Sequence, residues 1–206
     1  MKINQFVSGP LEVNCYLVTD EETKKAFIVD PGGENRRLLN YITENNIKVE
    51  YIILTHGHGD HIGGIEFLKK AIPGIKIAAH IEEKELLEDP KLNHSILTCG
   101  KPVSVKVDKY VNDGDSLKVG NMEPVFLFTP GHTPGGMCIY VGDSLFSGDT
   151  LFAQSIGRTD FPKSSFSALK KSILNKLYVL PDETRVYPGH MRFTTIGFEK
   201  EHNPFV

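Results

Sequence analysis

Tryptophan is absent, and only three cysteines, Cys15, Cys99 and Cys138, occur in 206 residues. Three thiols cannot all pair within one chain, and none stand in C-x-x-C spacing. A disulfide framework and a dithiol redox motif are thereby excluded, and reduced thiols are expected. No apolar run reaches the roughly 18 residues of a membrane span. The first seven residues alternate like a strand and carry no signal-peptide core, so a cytoplasmic protein is expected. Neither sign of charge is in excess: 23 Lys plus Arg against 26 Asp plus Glu gives −3. That balance argues against bulk phosphate binding, which needs a basic surface, so neither a nucleic-acid nor a membrane partner is expected. Repeats, low-complexity tracts and linkers are missing, and 1–206 reads as one domain. H-E-x-x-H, G-x-S-x-G and P-loop motifs are missing as well, which removes the commoner hydrolytic machineries. Nothing in the sequence bears on oligomeric state.

What is present suits a globular protein. Apolar residues at 40% and charged residues at 24% are ordinary values. A chain this long buries roughly 70% of its unfolded surface without disulfides. Short apolar runs at 3–7, 14–19, 25–30 and 51–54 read as strands, followed by 75–79, 103–110, 116–119, 124–128, 137–141, 144–147 and 184–187. Helical spacing runs over 35–46, 62–72, 82–88 and 165–178, the last capped by Ser164 or Ser165. Residues 89–102 show no periodicity and read as a loop or lid. Two sheets with helices packed outside would bury all these faces.

The chemistry concentrates in Thr55-His56-Gly57-His58-Gly59-Asp60-His61-Ile62-Gly63-Gly64, directly after an apolar strand. Three imidazoles and a carboxylate within six residues are donors for zinc or non-haem iron. Without a cation, packing them together has a desolvation cost and gains no core contact. Glycines at 57, 59, 63 and 64 let the backbone turn sharply there. Three more strands end on a donor: His132 after 126–131, Asp149 after 144–148 and His190 after 186–189. Seven donors suffice for two metals sharing one carboxylate. Asp60 is read as a ligand, with a general base as the alternative. Arg158 and Asp160 are either a plain ion pair or, for Arg158, a fork for a substrate carboxylate. Tyr16, Tyr140 and Tyr187 read as core aromatics, the cysteines as small packed residues, and His80, His94 and His202 receive no role.

These residues resemble the metallo-β-lactamase superfamily. Its H-x-H-x-D-H signature matches His56, His58, Asp60 and His61, and its later His, Asp and His match His132, Asp149 and His190. The resemblance implies a four-layer αβ/βα sandwich with metals at one sheet edge. It further implies that His56, His58 and His132 hold one divalent ion and Asp60, His61 and His190 the other, bridged by Asp149 and a hydroxide. Asp60 and Asp149 are the catalytic carboxylates on this view. Zinc is the expected ion, with iron or manganese suited to the same donors.

Residues 10–16, 131–136, 155–162 and 203–205 are similar to the short glyoxalase II-like (hydroxyacylglutathione hydrolase-like) branch. That likeness implies hydrolysis of a small-molecule acyl thioester such as S-lactoylglutathione. Longer glyoxalase II enzymes carry a C-terminal helical domain that helps bind glutathione, and this sequence ends 16 residues after His190. A mononuclear iron persulfide dioxygenase is the main alternative, since such enzymes resemble the chain at Gly157-Arg158-Thr159-Asp160 and use only the equivalents of His56, His132 and Asp149. A metal-dependent phosphodiesterase is another. A flavodiiron-type electron carrier is disfavoured because His58 stands where those relatives resemble a Glu, and a secreted lactamase because no signal peptide is present.

Overall fold

A computed structural model describes residues 1–206. The first sheet has six strands, β1 (Lys2–Ser8), β2 (Val13–Thr19), β3 (Lys25–Val29), β4 (Lys48–Ile53), β5 (Lys76–His80) and β6 (Lys109–Val111), side by side in chain order. β1 to β3 are antiparallel, and β3 to β6 run parallel. In the second sheet β7 (Val125–Phe128), β8 (Met137–Val141) and β9 (Ser144–Gly148) are antiparallel. A hairpin, β10 (Leu151–Phe152) and β11 (Ser155–Ile156), leads away from it. Then β12 (Arg185–Pro188) joins β9 in parallel, and β13 (Thr194–Thr195) closes the edge.

Strand alternation builds the layers. Side chains of successive strand residues point to opposite faces. Val18, Phe27, Val29 and Ile53 meet Phe126, Ile139 and Phe146 between the two sheets. Their neighbours Leu17, Ile28 and Ile52 face the other way, against Leu38 and Ile42 of α1 (Arg36–Glu44). Behind the second sheet, Cys138, Leu145 and Val186 pack on Leu169, Ile173, Leu177 and Ile196. The result is the expected four-layer αβ/βα sandwich of two mixed sheets with helices outside.

Several elements differ from the sequence reading, each for a local reason. The helix expected over 62–72 begins only at Ile65, as α3 (Ile65–Ala71), and Gly63-Gly64 separate it from a short preceding helix, α2 (Gly59–Ile62). Of the expected strand 103–110 only Lys109 and Tyr110 join the sheet, as part of β6. Upstream, the Val103 N–H donates to Ser95 Oγ and the Val105 N–H to the Leu87 carbonyl, so those donors serve helical segments instead. The strand expected over 116–119 makes only the isolated bridges Ser116–Val125 and Val119–Met122. Following α4 (Lys84–Glu88), the unpatterned 89–102 segment contains a short helix, α5 (Ser95–Cys99). The helix over 165–178 begins at the Ser165 cap as α6 (Phe166–Ser172) and continues as a π-type stretch, Ile173–Leu177. A last helix, α7 (Ile196–His202), capped by Thr195, was not anticipated. No helix is long and apolar enough to cross a membrane. The three cysteines are unpaired, and burial pushes the Cys15 and Cys138 thiols up, which disfavours nucleophilic thiolates.

Candidate metal centre

Every strand that ends on a donor stops at the same end of the sandwich. β4 delivers Thr55 and His56 past Ile53, and α2 turns Asp60 and His61 back toward them. β7 leads to His132, β9 to Asp149 and β12 to His190. A sharp turn after β9 makes this possible. Gly148 has φ of 50°, and a Cβ there would lie 2.2 Å from Thr55 Oγ1. Only glycine fits that conformation and that gap. The His190 loop is tied to β2: Asn14 Nδ2 donates to the Pro188 and Met191 carbonyls at 3.0 and 2.8 Å, and the Tyr16 hydroxyl to Pro188 at 2.7 Å. Tyr16, read from sequence as a core aromatic, is thus also a strut.

All seven predicted donors converge. The ligand atoms of His56, His58 and His132 form one group, those of Asp60, His61 and His190 a second, each with its atoms within 4.8 Å of one another. His58 Nδ1 lies 2.9 Å from His132 Nε2. His190 Nε2 lies 3.2 Å from Asp60 Oδ2. Asp149 stands between the groups, with Oδ1 3.4 Å from His61 Nε2 and Oδ2 3.5 Å from His132 Nε2. His190 is the most open member, its side chain 24% exposed, which marks the mouth of the site.

The charges do not balance within this cluster. Burial lowers the His56 pKa, helped by His61 and His58. Burial and then His132 bring His58 down to about 3. Burial also lowers His132. On the other side burial opposes charge on His61, yet Asp149 and Asp60 outweigh it and raise its pKa well above the usual value. Burial likewise opposes ionised Asp149, but His61 overrides it and holds the carboxyl far below its usual range. Three buried atoms of the cluster, His56 Nε2, His61 Nε2 and Asp149 Oδ1, have no hydrogen-bond partner. Native interiors satisfy nearly all such atoms. Orphaned imidazole nitrogens beside an orphaned carboxylate oxygen fit divalent cations.

The sequence matches the family model of the metallo-beta-lactamase superfamily over residues 8–190. The chain belongs to that superfamily. Superfamily relatives span it nearly end to end. The protein named hydroxyacylglutathione hydrolase GloC from Haemophilus influenzae is 38% identical over 201 residues, 94% of this chain and 92% of the relative. Among solved structures, the B3 metallo-beta-lactamase BLEG-1 superposes with a TM-score of 0.92 at 38% identity, covering 99% of both chains. TTHA1623 in a di-iron-bound form gives 0.85 at 34% identity, over 98% of this chain and all of the other. The chain is thus a metallo-hydrolase of the superfamily, and its His and Asp groups suit divalent metals.

Two supporting residues were not singled out from sequence. Asp30 Oδ1 accepts the Thr55 N–H at 2.8 Å, and its Oδ2 contacts Thr55 Oγ1 at 2.5 Å and His61 Nδ1 at 3.0 Å. In sequence Asp30 is only the last residue of the 25–30 run. Glu83 is the other; nothing separates it from Glu82 and Glu85 in sequence. The Arg158 guanidinium pairs with Asp160 at 2.8 Å, each side chain about two-thirds exposed, and lies over the Phe161 ring at 4.4 Å. What reaches the centre is the Arg158 carbonyl, which accepts from His132 Nδ1 at 2.8 Å. His80 stacks on Phe128 and His202 on Phe198, both away from the site, whereas the His94 ring lies 5.9 Å from that of His58.

Proposed function

We propose that the chain hydrolyses acyl thioesters, S-lactoylglutathione or a close relative, at a centre holding two divalent ions. His56, His58 and His132 would hold one ion and Asp60, His61 and His190 the other, with Asp149 between; such a pair, when bound, lowers the pKa of water toward neutrality and polarises a carbonyl. The observation carrying this reading is the pair of donor groups joined by Asp149, with three buried donor atoms left without partners.

The chain's own residues favour a thioester. A thiolate whose acid has a pKa of about 8.5 leaves without a proton, whereas an amide nitrogen needs one. Burial holds His56, His58 and His132 in the neutral form, so the wall they make offers lone pairs rather than protons. Asp149 and Asp60 are held ionised and orient His61 and His190. Beside His58 and His132 opens a cleft lined by Leu86, Lys91, His94, Phe161 and Lys163. The Lys91 ammonium and the apolar walls suit a small acyl thiol bearing a carboxylate, whereas Lys163 is paired with Glu85 at 2.6 Å, and no nucleic-acid partner is invoked. The 38% identity to GloC supports the same substrate class.

The test is thiol release from S-lactoylglutathione, a neutral acyl thioester and a β-lactam, assayed in parallel with protein loaded with zinc, iron or manganese. Thioester cleavage that is lost in His56→Ala supports the proposal; lactam cleavage alone overturns it. The persulfide dioxygenase alternative keeps one specific support: His132 Nε2 lies 3.5 Å from Asp149 Oδ2 and its ring 4.9 Å from that of His56, so these three residues alone could hold one ion. One iron per chain with oxygen uptake from a persulfide would favour it.

A further inference from the structure

Glu83 is 1% exposed and ends the single turn Ile81–Glu83 that follows β5. Its two oxygens reach two different loops. Oε1 accepts the Gly57 N–H at 2.8 Å, and Oε2 accepts the Gly135 N–H at 2.7 Å. Gly57 stands between His56 and His58, and Gly135 lies three residues past His132. One carboxylate therefore ties together the two loops that carry the three-histidine group. The contact is close: a Cβ on Gly135 would lie 2.2 Å from the Glu83 nitrogen. Only a glycine lets the loop come that near.

The choice of an ionisable side chain needs a reason. Burial is the main influence on Glu83, opposed only by hydrogen bonds, and no cationic side chain acts on it. An uncompensated buried carboxylate is unfavourable. A neutral amide would avoid that, but it offers one acceptor oxygen, and two N–H donors face the side chain here. Only a carboxylate of this length satisfies both loops from one point.

On the two-ion reading above, we propose that Glu83 is a positioning residue. It fixes the spacing of the His56–His58 loop against the His132 loop, and so sets that group's affinity for its ion. The Asp60–His61–His190 group depends instead on Asp30.

The experiment titrates Zn²⁺ into chelator-stripped full-length protein against a chromophoric chelator, for wild type and Glu83→Gln, with melting curves of the ion-free proteins. Wild type is expected to take two ions. Glu83→Gln is expected to lose roughly 10- to 100-fold in affinity for one of them, the range found for residues that hold a ligand in place. The other ion should shift by less than about threefold. Repeating the titrations with His58→Ala and with His190→Ala assigns the loss: the first background should abolish the Glu83→Gln effect and the second should retain it. A lower melting temperature with both affinities unchanged would make Glu83 a structural staple and overturn the proposal. Equal weakening of both ions would also overturn it. If Glu83→Gln does not fold, Glu83→Asp, which keeps the charge but shortens the reach by one methylene, must show the same one-sided loss. Wild type taking up no Zn²⁺ would sink the two-ion reading itself; two ions held equally well by wild type and Glu83→Gln would sink this proposal alone.

Discussion

The three-histidine group and the Asp60–His61–His190 group hang on different supports. Behind the first, the Arg158 carbonyl holds the His132 ring, and the Glu83 carboxylate acts only through the backbone of Gly57 and Gly135. Around His61 stand three carboxylates, Asp30, Asp60 and Asp149. Burial strips protons from the first set of imidazoles, while neighbouring anions retain one on His61. The first half is thus ready to donate lone pairs. The second already stabilises positive charge, and a divalent ion there must displace a proton. Ligand type alone does not define such a site, because what orients each imidazole also sets its charge.

The largest effect should come from the residue both halves share. Asp149 contacts His61, His132 and His190. Asp149→Ala is expected to lower turnover about 10³-fold and weaken uptake of both ions, since it removes charge where a hydrolytic centre needs it. Elemental analysis with turnover assays checks this. Loss of one ion alone would mean that the halves are not joined through Asp149.

Next is a pH effect specific to the first half. Burial raises Glu83 from its ordinary 4.5 to about 7. Between those values the folded chain holds more protons than the unfolded one. The stability that Glu83 contributes is therefore fully present below 4.5 and lost as pH climbs to about 7. Glu83→Gln does not titrate there. Relative to this variant, ion-free wild type should lose about 3 kcal/mol between pH 4.5 and 8. Urea melts at both pH values measure the difference, and a flat difference would show that folding does not raise the carboxyl pKa.

Asp30→Asn is the counterpart in the second half. It removes the anion that holds His61 Nδ1 and both Thr55 donors. Affinity for the Asp60–His61–His190 ion should fall roughly 10- to 100-fold. A smaller loss should reach the three-histidine ion, because Thr55 Oγ1 lies 3.2 Å from His56 Nδ1. Competition titration separates the two, and a larger loss at the three-histidine ion would reverse the division of labour.

The donors were legible in sequence and their supports were not. His56, His58, Asp60 and His61 crowd one turn, and His132, Asp149 and His190 each follow a short apolar strand; strand ends meet at a sheet edge, so the pattern implies the place. The layers were legible too, because alternation within β2, β3 and β4 sends Leu17 and Val18, or Ile28 and Phe27, to opposite cores. Boundaries failed where tertiary partners decide them. Val103 and Val105 have strand-forming side chains, but their N–H groups bond Ser95 and Leu87, and the sheet ends without them. Asp30 and Glu83 were invisible for the same reason. Each acts on residues at least 25 positions away, and no local spacing encodes that reach.

The smallest effect is expected at Arg158, where sequence left a surface pair and a substrate contact both open. Its side chain and its backbone do separate things. The carbonyl holds His132, while the guanidinium pairs with Asp160 in solvent and covers Phe161 at the rim of the cleft. Arg158→Ala leaves the carbonyl in place, so affinity for both ions and the melting temperature should be unchanged. An exposed charge contributes little, and KM for a carboxylate-bearing thioester should rise less than about fivefold, with kcat and the KM of a neutral thioester unaltered. Steady-state kinetics on the two substrates measures this. A fall in ion affinity would mean that the guanidinium, and not the backbone, orders the His132 loop, and the three-histidine half would then depend on a surface charge after all.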